Sequence, residues 1–107
     1  MRVLIADDTK MERWLLEKLL TNLGHEVVAT SDGEEALEKF KTRSFPMVML
    51  DWMMPKMNGI DTCKKLRELG ANIEEYCYIV MVTSKSEKEN YLEALQAGAD
   101  DFIHKPI

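Results

Sequence analysis

Cysteine is scarce in this chain. Only Cys63 and Cys77 occur among 107 residues, and they form no C-x-x-C pair and have no nearby histidine at metal-ligand spacing. That pattern argues against zinc, and both thiols are expected to be reduced core residues. Positive charge is also short: 14 Lys and Arg stand against 19 Asp and Glu, a net charge of −5. The sign is wrong for a domain that grips nucleic-acid phosphates, so no direct nucleic-acid contact is expected. Long hydrophobic runs are missing. The longest, Tyr76 to Val82, falls far short of the roughly 18 residues a spanning helix needs. No membrane contact is expected, and with no cationic leader before an apolar stretch the expected location is cytoplasmic. Five glycines and three prolines, beside 46% apolar and 31% charged residues, exclude collagen-like and disordered chains. The length suits one domain over residues 1–107.

What is present alternates between two periodicities. Arg2 to Ala6 carries the continuous run Val3, Leu4, Ile5 of a strand buried on both faces. Thr9 and Glu12 have the spacing of a capping box. Met11, Leu15, Leu16, Leu19 and Leu23 then recur at helical spacing until Gly24. Val27 to Ala29 reads as a second strand, and Asp32 with Glu35 opens a helix expected through Arg43, acidic early and basic late as its dipole prefers. Met47 to Leu50 is a third strand ending at Asp51, followed by an irregular loop to Gly59 and a helix from about Ile60 to Leu69. Tyr78 to Val82 is a fourth strand. Ser86 and Glu89 cap a helix carrying Tyr91, Leu92 and Leu95 to Gly98, and Phe102 to His104 is a fifth strand. Five strands separated by four helices call for an α/β fold with a parallel sheet and right-handed crossovers.

In such a sheet the strands' carboxyl ends share one edge, where ligands bind. The residues there are Asp7 and Asp8, Asp51, Thr83 and Ser84, and Lys105 with Pro106. Three carboxylates brought together repel unless a cation joins them. Mg²⁺ suits oxygen ligands and commonly shares one or two carboxylates with a phosphoryl group. A phosphoryl group at this edge would find charge stabilisation from the metal and Lys105 and a hydrogen-bond donor in Thr83. Asp51, alone on its strand, is then the nucleophile, and the Asp7–Asp8 pair suits the metal.

Asp7-Asp8, the run Met49-Leu-Asp51-Trp-Met-Met-Pro-Lys-Met-Asn-Gly59, Thr83-Ser84 and Lys105-Pro106 together resemble the receiver domain of bacterial two-component response regulators. The match spans the whole chain in order. The resemblance implies a flavodoxin-like doubly wound five-stranded sheet in the order 2-1-3-4-5. It also implies reversible phosphorylation of Asp51 by a sensor histidine kinase or histidine phosphotransfer protein, in a domain that catalyses only its own phosphorylation and dephosphorylation. By the same resemblance Asp8 and Asp51 bind Mg²⁺ through side chains, Met53 through its backbone carbonyl and Asp7 mainly through water. Lys105 pairs with the phosphoryl group, Thr83 swings inward to hydrogen-bond it, and Phe102 changes rotamer with Thr83. The Lys105–Pro106 bond is cis in such domains. Trp52 is expected to report on the site by fluorescence.

Two departures carry expectations of their own. The positions flanking the path of attacking water in these domains are Met53 and Lys85, neither of which orients water well, so a long-lived phosphoryl group is expected. Members of the family continue into a fifth helix, which is missing from this chain. The sequence is therefore expected to be cut from a longer regulator, and the bare face to drive self-association. Of the rival readings, haloacid-dehalogenase phosphatases place a D-x-D after the first strand, which is absent. A flavin or nucleotide module needs a glycine- or hydroxyl-rich first turn that Asp7-Asp8 would repel. A phosphorylation-independent interaction module on the same scaffold is the remaining alternative. Trp14 lies beside the first helix's apolar stripe as a candidate partner anchor, and His25 and His104 are expected to lie outside the site.

Overall fold

Alternation of apolar strand runs with capped helical stretches yields nine elements in the computed structural model, which describes residues 1–70, 75–84 and 88–105. They are β1 (Arg2–Ala6), α1 (Lys10–Asn22), β2 (Glu26–Thr30), α2 (Gly33–Phe40), β3 (Met47–Asp51), α3 (Gly59–Gly70), β4 (Tyr78–Thr83), α4 (Lys88–Gln96) and β5 (Asp101–His104). Every strand pairing is parallel, and the order is β2-β1-β3-β4-β5, the flavodoxin-like arrangement the resemblance implies. β1 is an interior strand, between β2 and β3, and Val3, Leu4 and Ile5 are buried on both of its faces at once.

The two faces are covered unequally. One carries Ala36, Phe40, Ile60, Cys63, Leu66 and Ala94 from α2, α3 and α4 against Leu4, Val48, Leu50, Ile79 and Met81. On the other, Leu16 and Leu20 of α1 pack over Val3, Ile5, Met49, Val80 and Val82. The first helix therefore buries a narrower stripe than its spacing suggests: Met11, Leu15, Leu19 and Leu23 are exposed, as is Trp14. In α4 the large residues Tyr91, Leu92 and Leu95 are likewise exposed while Ala94 is buried.

The local signals succeed and fail for identifiable reasons. Asp32 Oδ1 accepts from the Glu35 N–H at 2.8 Å, and the Glu35 carboxylate reaches back to the Ser31 N–H. Gly24 and Gly98 take positive φ at the ends of α1 and α4, where a side chain would be strained. The Thr9–Glu12 box does not form: Thr9 makes no side-chain cap, and the Thr9 N–H that Glu12 would take in such a box is given to Asp7 Oδ1 at 2.9 Å. α2 stops at Phe40 rather than Arg43. There the chain turns through Thr42, whose N–H and hydroxyl both donate to the Lys39 carbonyl, letting Phe40 stack on Phe45 with ring centroids 6.3 Å apart. Arg43, released from the helix, pairs with Glu26. The Ser86 cap lies outside the described residues. Among the described residues no helix is long and apolar enough to cross a membrane.

Candidate functional site

The β1 ladder ends with the Asp7 N–H donating to the Thr30 carbonyl at 3.1 Å, which fixes Asp7 as the first residue beyond the sheet. β3 ends at Asp51, and its chain leaves through a tight turn: Trp52 N–H donates to Val82, and Gly59 N–H returns to Trp52. Gly59 packs directly on the Asp51 backbone, since a Cβ there would lie 2.5 Å from the Asp51 carbonyl oxygen and 2.9 Å from Trp52 Cα. Asn58 caps α3 by accepting from the Asp61 N–H. At the far side, the Lys105 N–H donates to the Thr83 carbonyl at 2.7 Å, rooting the lysine beside the end of β4.

These devices bring the sequence-predicted residues to one edge. Carboxylate oxygens of Asp7, Asp8 and Asp51 all lie within 4.8 Å of one another, Asp8 exposed and the other two buried. Lys105 Nζ stands 3.2 Å from Asp51 and 3.4 Å from Asp7, and it also pairs with Glu12. Together with Thr83, Ser84 and Met53 these groups line the polar end of an open cavity of about 640 Å³ whose other wall is Leu15, Leu16 and Leu19. Thr83 is fully buried and Met53 is exposed. Phe102 does not line the cavity. Its ring meets Trp52 and Tyr91 edge-on, at 6.2 and 5.7 Å between centroids.

The electrostatics follow from this crowding. Burial, then the neighbouring Asp7 charge, push Asp51 up to about 6 despite the adjacent lysine. Burial raises Asp7 too, against the pull of the Thr9 N–H and Lys105. Burial works against the Lys105 charge, but pairing with Glu12, Asp51 and Asp7 outweighs it and drives its pKa upward. An oxygen-only, clustered and partly desolvated donor set of this kind suits a hard divalent cation such as Mg²⁺.

The family model for the response regulator receiver domain matches residues 3–107. The chain belongs to this family. It is 38% identical to the alkaline phosphatase synthesis transcriptional regulatory protein PhoP of Bacillus subtilis over 106 residues, 99% of this chain and 42% of PhoP. The receiver chain thus spans less than half the length of the transcriptional regulators it matches. It is also 38% identical to the chemotaxis protein CheY of Thermotoga maritima, covering 99% of this chain and 86% of CheY. Among solved structures, the CheX-CheY-BeF3-Mg²⁺ complex from Borrelia burgdorferi contains a chain of like fold, with a TM-score of 0.90 and 32% identity, covering 100% of the receiver chain and 79% of that one.

Sequence reasoning missed one member of the site. Glu12 was absorbed by the capping-box spacing, and nothing local in the sequence signals that its carboxylate meets Lys105. Neither histidine joins the cluster: His25 Nδ1 lies 3.1 Å from the N-terminal amine and His104 Nε2 lies 3.0 Å from the Ser84 carbonyl. Both cysteines are free thiols, Cys63 buried and Cys77 half-buried, and burial pushes each up to about 11, so neither is a thiolate near neutrality. Lys85 and Pro106 lie outside the described residues.

Proposed function

We propose that this receiver domain accepts a phosphoryl group on Asp51 from the phosphohistidine of a sensor kinase or phosphotransfer protein, in the cytoplasm, and thereby switches a signalling surface. The observation that carries the reading is the meeting of Asp7, Asp8 and Asp51 with Lys105 over a buried Thr83. With its pKa at about 6, Asp51 is ionised at neutral pH yet more basic than an ordinary carboxylate, a favourable combination for a nucleophile. Its oxygen attacks phosphorus, forming an acyl phosphate as the donor's P–N bond breaks and the imidazole leaves with its electron pair and takes up a proton. Lys105 directs an N–H to the arriving oxygens, and the Thr83 hydroxyl donates to them when it turns inward, Phe102 adjusting with it. Asp8 and Asp51 side chains, the Met53 carbonyl and, through water, Asp7 would hold Mg²⁺. When bound, that ion supplies neutralisation of the charge that phosphoryl transfer concentrates here.

Intact-mass spectrometry after incubation with acetyl phosphate and Mg²⁺ tests this. Wild type is expected to gain one phosphoryl group, and Asp51→Asn or removal of Mg²⁺ with a chelator to abolish the gain. An unmodified wild-type chain would leave the phosphorylation-independent interaction module as the better reading.

A further inference from the structure

The geometry points to Glu12 as a positioning residue for Lys105: its carboxylate holds the ammonium in the resting site and competes for it with the group arriving on Asp51. This inference rests on the function proposed above.

Glu12 stands in the first turn of α1, where a glutamate ordinarily turns back to the N-cap N–H. That N–H, of Thr9, is already given to Asp7 Oδ1. The Glu12 side chain instead crosses to Lys105, 93 residues along the chain. An ammonium has three N–H donors, and here three carboxylates claim them: Glu12, Asp7 and Asp51. Lys105 thus begins with its donors engaged. Asp7 is tied to Thr9 as well, and Asp51 is the acceptor itself, so Glu12 is the partner whose hold opposes transfer of a donor to phosphoryl oxygens. Its charge also lines the cavity beside the acidic cluster, partly exposed, where it attracts a divalent cation and repels an anionic phosphodonor.

Removing that charge is expected to move two quantities in opposite directions, which a folding defect would not do. The full 107-residue chain serves for the experiment. For Glu12→Gln, calorimetric titration with Mg²⁺ is expected to show affinity weakened about threefold, and acetyl phosphate at saturating Mg²⁺ to modify Asp51 about fivefold faster at low ionic strength. Both differences shrink in about 0.5 M salt, where exposed charges are screened. Glu12→Asp keeps the charge but is one methylene short of the lysine. It is expected to retain wild-type Mg²⁺ affinity while still accelerating phosphorylation. A Glu12→Gln rate equal to or below wild type overturns the inference, and so does an unaltered rate in Glu12→Asp. A wild-type chain that takes no phosphoryl group at all overturns the underlying functional reading, a result distinct from either.

Discussion

Asp51 is held where its own ionisation is unfavourable, and this has a measurable cost in stability. Its folded pKa of about 6 exceeds the ordinary 3.8, so the folded chain binds this proton more tightly than the unfolded chain does. The sign is fixed: the residue's contribution is greatest below about pH 4 and is lost as pH rises through about 6. Asp51→Asn is therefore expected to flatten that fall and, in the absence of Mg²⁺, to stabilise the chain at neutral pH by about 1–2 kcal/mol. Urea unfolding at several pH values checks it, and an unchanged pH profile in the variant would contradict the assignment. Mg²⁺ binding to the folded chain should restore wild-type stability by mass action. The residue types at this edge were legible beforehand, because Asp51 and Thr83 end a strand and Asp7, Asp8 and Lys105 follow one. Glu12 was not, since its role depends on a competition between Asp7 and Glu12 for a single backbone N–H.

At the level of elements, two connections do more than join their neighbours. Arg67 of α3 donates from Nε to the Gly98 carbonyl, from Nη1 to the Cys77 carbonyl and from Nη2 to Asp100, all within 2.8 Å, and Asp100 in turn accepts from the Ile79 N–H. Burial opposes the Asp100 charge, yet Tyr76, the Ile79 N–H and Arg67 prevail and lower its pKa. One side chain thus ties α3 to the entrances of β4 and β5. Arg67→Met, which keeps the stem but strands two carbonyls and a carboxylate, is expected to cost about 2–3 kcal/mol in chemical denaturation. A loss no larger than that of an ordinary surface substitution would refute this. The β3–α3 turn is the second case. Gly59→Ala would drive a methyl into the Asp51 carbonyl, Met81 Sδ and Trp52 Cα. About 1–3 kcal/mol of destabilisation is expected by thermal unfolding, with slower phosphorylation of Asp51 as the strand end shifts. Sequence reasoning located α3 but not these ties, because turn residues reveal a turn without revealing what lies behind it.

For the molecule as a whole, the decisive feature is that α2, α3 and α4 cover one sheet face while α1 alone, among the described helices, covers the other. Leu15 and Leu19 are about half exposed and wall the cavity beside the acidic cluster. Apolar area of this kind favours association. Sedimentation velocity on the 107-residue chain is expected to show concentration-dependent self-association that Leu15→Gln with Leu19→Gln suppresses, and a monomer at every concentration would count against it. Strand runs, helix spacing and glycine stops determined the α/β class and the positions of nearly all nine elements, since those signals are local and repeat along the chain. Motif order then pointed to the family. Only the tertiary structure decided which apolar residues of α1 and α4 are buried, that the Thr9–Glu12 box gives way to a lysine contact, and that α2 ends at Phe40. The physical reason is common to all three: several groups compete for one partner. Some are close in sequence, as Thr42 and Phe45 are at the end of α2, and some distant, as Lys105 is for Glu12, and a periodic pattern carries no information about which of them wins.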